Sequence, residues 1–374
     1  MRTHALPFTL ALLVVALVAT GGAAAQSYLP DPFGTSVPLD GPVLDFAQQS
    51  DGRVIAVGRF TEAGGASRNR IVRYNTNGAL DSSFFVGAGA NGTIHAVAVD
   101  PEDDSIYIGG EFTTYAGRAV NRISKLRPSG QIDPDFFPNG LEGTVRDLAL
   151  STFNLYAVGD FPGRVLKIDR RSGPPRYLNG APNGTVHCIV VEEAITGPYP
   201  VIGGEFTRAG GKNVNYLAHL DRDLRVLDEP AALAGPNGPV YALALDDLPE
   251  PPTANERSRL VVGGDFSTYN GTPRSNLAVV FADDTSYRNG RRGTLASNLG
   301  DEFNGIIGEV RSLAVERRGP LVIGGLVTLE FRPDVRNLVF ASSLDGGFSG
   351  LFWNEHQPNE LVRALAFQPD GMVL

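Results

Sequence analysis

The chain has 374 residues, a net charge of −9, a pI near 5.1 and an apolar share of 42%. That share suits a folded protein, and the acidic balance without a basic block argues against nucleic acid and anionic membrane surfaces as partners. Forty-five glycines imply many turns and short strands, and a single cysteine excludes an intramolecular disulfide, so the fold rests on core packing.

The first 25 residues have the form of a secretory signal peptide. Arg2 and His4 open it, Ala5 to Ala19 is almost wholly apolar, and Ala23-Ala24-Ala25 precedes Gln26. The apolar run is short for a bilayer crossing, and no later stretch is long enough for one. A secreted, periplasmic or cell-surface location is expected, with no membrane span after cleavage. The alternative is an uncleaved anchor.

From residue 43 one unit recurs. Its first strand appears as Val43-Leu44-Asp45-Phe46-Ala47, Ile94-His95-Ala96-Val97-Ala98 and Val145-Arg146-Asp147-Leu148-Ala149. Further copies start at Val186, Val240, Val310 and Val362. Consecutive apolar positions suggest a strand buried on both faces. The copy from Val186 contains Cys188, expected as a buried, inert thiol. A turn follows, clearest at Asp51-Gly52 and Asp370-Gly371, read as a two-residue hairpin with both turn residues at positive φ.

The second strand ends in a repeated phrase: Gly109-Gly110-Glu111-Phe112, Gly203-Gly204-Glu205-Phe206 and Gly263-Gly264-Asp265-Phe266. Phe60 and Phe161 mark further copies, and Val327 stands in the sixth. A half-buried third strand alternates apolar and polar residues, as in Arg70-Ile71-Val72-Arg73-Tyr74 and Arg122-Ile123-Ser124-Lys125-Leu126. Each unit closes on a segment such as Leu80-Asp81-Ser82-Ser83-Phe84.

Four-strand units near fifty residues, without helical periodicity, predict an all-β fold: a β-propeller of six to seven four-stranded blades, the last incomplete. Each sheet buries its faces against its neighbours. A phenylalanine wedged between sheets contributes about 1.5–3 kcal/mol. Glycines without a Cβ let chains approach closely where blades converge.

The stretch Val57-Gly58-Arg59-Phe60-Thr61-Glu62-Ala63-Gly64-Gly65, with Arg68 to Tyr74 and Leu80 to Phe84, resembles the delta-60 repeat β-propeller family. The layout is also similar to that of kelch propellers. The resemblance spans most of residues 28–374 and implies no shared catalytic residues. Tyr28 to Phe33 resembles the closing segment of a unit, and Leu374 falls inside the second strand of a seventh. The expectation is a propeller over residues 26–374, truncated at its C-terminus. Six full blades plus a partial seventh is the alternative.

Gly87-Ala88-Gly89-Ala90-Asn91-Gly92 fits a dinucleotide fingerprint in letters but precedes a strand, so no nucleotide is expected. The sequons at Asn91, Asn183 and Asn270 read as turn geometry. No cysteine or histidine cluster and no calcium loop appears, so no metal and no cofactor is expected.

Centring the first hairpin on Asp51-Gly52 places Leu44 opposite Arg59. By the same logic His95 lies near Glu111, Arg146 near Asp160, His187 near Glu205 and Tyr241 near Asp265. Cross-strand pairing alone accounts for this pattern, at about 0.2–1 kcal/mol per pair. The functional reading puts His95, Arg146, His187, Tyr241, Arg311 and Arg363, with Glu111, Asp160, Glu205 and Asp265, around one polar mouth suited to an anionic or carbohydrate ligand. The leading expectation is a monomeric, non-enzymatic exported propeller that binds a protein or a glycan, with loops Asp246–Arg259 and Asp283–Asn304 as contact surfaces. The alternatives are a secreted polysaccharide-acting enzyme with its site on the axis, and an adhesin lacking a C-terminal anchor.

Overall fold

The structure, a computed structural model, describes residues 37 and 39–365 except 137–139, 171–173, 195–196, 229–233, 247–257, 283–293, 297–304, 317–318, 331 and 342–360. The expected signal peptide, the closing segment at Tyr28 to Phe33, most of both long loops and residues 366–374 lie outside the described residues.

Every regular element among the described residues is a strand. No helix among them is long and apolar enough to cross a membrane. Six antiparallel sheets follow one another along the chain. Their first two strands are Val43–Gln48 with Val54–Gly58, Ile94–Val99 with Ile106–Gly110, and Val145–Leu150 with Asn154–Gly159. The series continues with Val186–Ala194 and Gly197–Gly204, Val240–Asp246 and Arg259–Gly264, and Ile306–Val315 and Leu321–Leu329. Each second strand also pairs with a third strand on its far side. First strands of successive sheets touch one another from sheet 1 to sheet 6.

The apolar clusters lie between sheets. Ile55, Val57 and Ile71 of sheet 1 pack with Ile94, Ile106 and Ile108 of sheet 2. Tyr107 and Ala96 of sheet 2 join Leu155 and Ala157 of sheet 3. Three more clusters join sheets 3 and 4, 4 and 5, and 5 and 6. A second strand with apolar residues at every position therefore supplies two interfaces, one from each face. The phenylalanines of the repeat are buried: Phe60, Phe112 and Phe206 are 0% exposed, Phe161 1% and Phe266 4%. Val327, at 2%, fills the same place in sheet 6.

Three expectations are corrected. The blades are not uniformly four-stranded. Among the described residues only sheet 3 has a fourth strand, Arg176–Tyr177, while single bridges such as Tyr74 with Leu80 and Leu126 with Ile132 take its place in sheets 1 and 2. The polar closing segments leave the sheet after one bridge because aspartate and serine bond their own backbone, as Asp81 Oδ1 accepts from the Ser83 N–H. The first hairpin is not a two-residue turn either. Gln49 O accepts from Gly52 N–H at 2.9 Å and only Gly52, with φ 85°, is left-handed, so a wider loop spans Gln49 to Arg53.

The third correction is the register. Val43 pairs with Gly58, but Asp45 pairs with Val57, leaving Leu44 as the extra residue of a β-bulge. The same bulge recurs at His95, Arg146, His187, Tyr241 and Arg311. It explains the glycine doublet. A Cβ on the second glycine would stand 2.1 Å from the carbonyl oxygen just before the repeat valine or isoleucine, as at Gly58, Gly110, Gly159 and Gly204. The first glycine faces the next sheet: a Cβ on Gly109, Gly203, Gly263 or Gly324 would meet Val145, Val240, Val310 or Val362 at 2.4–2.6 Å. Val362 also accepts a bond from Ser312 Oγ at 3.1 Å, and Ala364 packs against the outer cluster of sheet 1.

Phe206→Ala should cost about 3–5 kcal/mol and lower the thermal midpoint, since no neighbour can fill the space between two sheets. Gly110→Ala should destabilise more than Gly117→Ala in the same melts. The latter strains a left-handed backbone, but its Cβ meets nothing within 4 Å.

Candidate functional site

The bulge fixes where the site lies. In sheets 1 to 5 the carbonyl pressed against the glycine that ends the second strand also accepts the N–H of the following residue: Pro42 from Arg59, Thr93 from Glu111, Thr144 from Asp160, Thr185 from Glu205 and Pro239 from Asp265, all at 2.8–2.9 Å. Two side chains then emerge beside each other at one end of each hairpin, the bulged residue inside and the residue after the glycine outside, an acid in sheets 2 to 5.

Leu44, His95, Arg146, His187, Tyr241, Arg311 and Arg363 together line one cavity of about 160 Å³. One residue comes from each of seven repeat copies, so all six basic or aromatic residues expected at the mouth are brought together. The expected acids Glu111, Asp160, Glu205 and Asp265 are absent from that lining and stand behind it.

Pairing is extensive. Arg146 Nε donates to Asp160 Oδ2 at 2.7 Å. Asp160 Oδ1 accepts from Thr185 Oγ1 at 2.9 Å and from Arg164 Nη1 at 3.3 Å. His187 Nε2 lies 3.0 Å from Glu205 Oε1. His95 Nε2 lies 3.2 Å from Glu111 Oε1 without hydrogen-bond alignment. The Tyr241–Asp265 pairing is corrected. Asp265 is exposed and acts on the phenol only through its charge. Tyr241 instead stands edge-on to His187, with ring centroids 5.3 Å apart, and carries the Arg311 guanidinium 3.6 Å from its ring centroid. Arg311 Nε and Nη2 donate to Glu309 Oε2 at 2.8 and 2.5 Å. Glu309 escaped the sequence reading because it precedes the bulge instead of following the glycines.

Burial is the first cause that lowers His95 and His187 below the ordinary histidine value. Their glutamate partners oppose it, and the charge of Arg146 adds to it. Both rings are therefore neutral at neutral pH, and the charge of the lining is that of Arg146, Arg311 and Arg363. Burial raises Asp160, but the Thr185 hydroxyl and Arg146 more than offset it, and the carboxylate stays ionised.

One residue deeper, the first strands carry Asp45 and Asp147. Asp45 Oδ2 accepts from Val97 N–H of sheet 2 at 2.7 Å, and Asp147 Oδ2 from Ile189 N–H of sheet 4 at 2.8 Å. Both keep partial exposure while neighbouring strands enclose them. Removal from water drives Asp45 up to about 8, against the Val97 bond and helped by the charge of Asp147, and it drives Asp147 up to about 7. Cys188 at the equivalent position of sheet 4 is buried, and burial holds its thiol protonated.

The sequons serve as clamps. Asn91 Oδ1 accepts from Thr113 and Thr114 N–H at 2.8 and 2.9 Å, and Asn183 Oδ1 from Thr207 and Arg208 N–H at the same distances. The side-chain acceptor, not a left-handed backbone, is what asparagine supplies at these two positions. Gly87 and Gly89 are turn residues and a strand follows them, as the reading against nucleotide binding requires. Among the described residues no group of three His, Cys, Asp or Glu is placed to hold a metal.

With seven equivalent residues from seven repeats on one cavity, the architecture is that of a β-propeller repeat protein. A family model described as "Domain of unknown function (DUF5122) beta-propeller" matches residues 49–84, 102–136 and 258–285. Among solved structures, the WD40 β-propeller domain of Doa1 is similar at a TM-score of 0.51 and 12% identity, over 96% of this chain and 92% of that one. At that identity the likeness is one of fold. No curated protein matches the chain.

Raised carboxyls favour the fold while protonated. Their contribution is full below the ordinary aspartate value of 3.8 and is lost as pH rises through about 7 and about 8. Asp45→Asn and Asp147→Asn should thus show a smaller fall in thermal midpoint from pH 5 to pH 9 than the parent. An unchanged fall in both variants would refute the assignment.

Proposed function

We propose that this protein is a binding module: an exported propeller of delta-60-type repeats in which residues 362–364 begin a seventh blade, and whose mouth recognises a protein or glycan ligand through His95, Arg146, His187, Tyr241, Arg311 and Arg363. The observation that carries this reading is the convergence of six bulge side chains, and of Arg363 from the seventh repeat copy, on one cavity whose lining holds three arginines and no carboxylate. Structural pairing alone would leave each basic residue facing its own acid. Here the acids hold the bases from behind, which orients them and leaves the cavity side for a ligand.

The same pairing argues against catalysis at the mouth. Asp160 is tied to Arg146, Thr185 and Arg164, Glu205 to His187, and Glu309 to Arg311. None of these carboxylates is poised as a proton donor beside a second free one, as hydrolysis of a glycosidic bond requires. The polypeptide frame supplies rigidity, and a ring of variable side chains on invariant bulges supplies specificity.

A panel of immobilised peptides and glycans, probed with the parent and with an Arg146→Ala/His187→Ala double variant, tests this. Ligands captured by the parent should bind the variant at least about tenfold more weakly, equivalent to ~1.4 kcal/mol. Capture that survives the double substitution undiminished would place binding elsewhere on the molecule.

A further inference from the structure

Sheet 6 departs from its neighbours at the mouth. In the other sheets the second strand stops at Gly58, Gly110, Gly159, Gly204 or Gly264 and turns away. In sheet 6 it continues to Leu329 and stays paired with the start of the first strand, Ile306 with Leu329, Ile307 with Thr328 and Glu309 with Leu326. The cause is local. The acid and phenylalanine of the phrase are replaced by Leu326 and Val327, followed by Thr328 and Leu329, an apolar and β-branched run that prolongs a strand.

This extension raises a wall beside the cavity. Ile307, Glu309, Leu326 and Thr328 share one face, because opposed residues and those two apart on a strand point the same way. Glu309 on that face reaches Arg311 of the cavity lining. Ile307 and Leu326 on the same face are each 52% exposed, two of the few large apolar side chains so exposed among the described residues. An exposed aliphatic pair next to a cavity lined by arginines is a recognition feature, since burying it is favourable and leaving it in water is not.

Two lining arginines keep donors that no bond uses within the described residues. Arg146 spends only Nε on Asp160, and neither of its terminal nitrogens bonds within the described residues. Arg311 uses Nε and Nη2 on Glu309 and keeps Nη1. Both guanidiniums are fixed before a ligand arrives, which lowers the ordering cost of binding an anion.

The aromatic geometry discriminates between ligand classes. Sugars are held by apolar contact with open aromatic faces, but Tyr241, the aromatic ring in the lining besides the histidines, has Arg311 stacked on it and His187 against it. The apolar contact on offer is aliphatic instead. We propose that the mouth and the Ile307–Leu326 wall together receive an acidic peptide segment of a partner protein, its carboxylates on Arg146 and Arg311 and a neighbouring apolar side chain on the wall. This inference rests on reading the mouth as the binding surface and adds to it the class of ligand and the wall.

Fluorescence anisotropy with the full chain tests it, using a labelled short peptide of alternating glutamate and leucine, the same peptide with glutamine for glutamate or serine for leucine, and an oligogalacturonate as acidic sugar. The glutamate–leucine peptide should bind best and weaken as salt is added. Arg146→Gln and the Ile307→Ser/Leu326→Ser double variant should each weaken it about tenfold. The wall side chains are half exposed, so the thermal midpoint of the double variant should match the parent. Peptide binding indifferent to the wall substitutions overturns the proposal. Oligogalacturonate binding that needs Arg146, with no peptide binding, also overturns it and leaves the mouth reading intact. Failure of all probes to bind removes the inference and the reading of the mouth as a binding surface together.

Discussion

The structure depends on one backbone contact made in every sheet. The carbonyl before the repeat valine or isoleucine is pressed against the glycine that ends the Gly-Gly or Val-Gly pair, and in sheets 1 to 5 it accepts the N–H of the residue after it. No side chain fits in that space, so glycine is required by sterics. The carbonyl can come so close only because the first strand bulges at the next residue. Chain approach, bulge and glycine are thus three aspects of one constraint, and its repetition makes the repeat visible.

That constraint links stability to recognition. A bulge turns one side chain out of the ladder without breaking the pairing on either side. The residue turned out makes no contribution to the core, so it is free to vary, and across the six bulges it is Leu, His, Arg, His, Tyr and Arg, with Arg363 at the matching place in the seventh copy. The flanking positions are not free: the valine packs on the neighbouring sheet's glycine, and the phenylalanine fills the space between sheets. The frame is held by invariant apolar contacts, and the mouth is written in the one position those contacts leave open.

The electrostatics of the mouth follow from the same arrangement. Acids that end the second strands stand behind the bulged residues, where they orient arginines and histidines without entering the cavity. Deeper in the assembly, Asp45 and Asp147 show what happens without such partners. Each accepts backbone N–H bonds from the next sheet and still holds its proton well above the ordinary range, because no cation compensates for the loss of water. At the mouth, Asp160 beside Arg146 and Glu111 beside His95 are instead held below the ordinary carboxylate value by their partners.

The repeat, the all-β class, the buried phenylalanines and the six mouth residues from His95 to Arg363 were legible in the sequence, because each copy repeats the same local demand. The strand register was not. A bulge shifts pairing by one residue and has no signature apart from the doublet itself, so Leu44 was placed opposite Arg59 when it pairs with nothing. Asp45 and Asp147 could have been noticed as lone carboxyls in otherwise apolar strands, but their environment depends on which strand of the next sheet lies alongside. The sequence by itself determined the unit and the residue types at each of its positions, since local sterics and alternation are properties of neighbours along the chain. Tertiary structure alone decided that seven distant side chains share one cavity, that Arg311 takes Glu309 and Tyr241 as partners, and that sheet 6 raises a wall beside them. Those contacts are set by how sheets pack on one another, and no spacing along the chain encodes that angle.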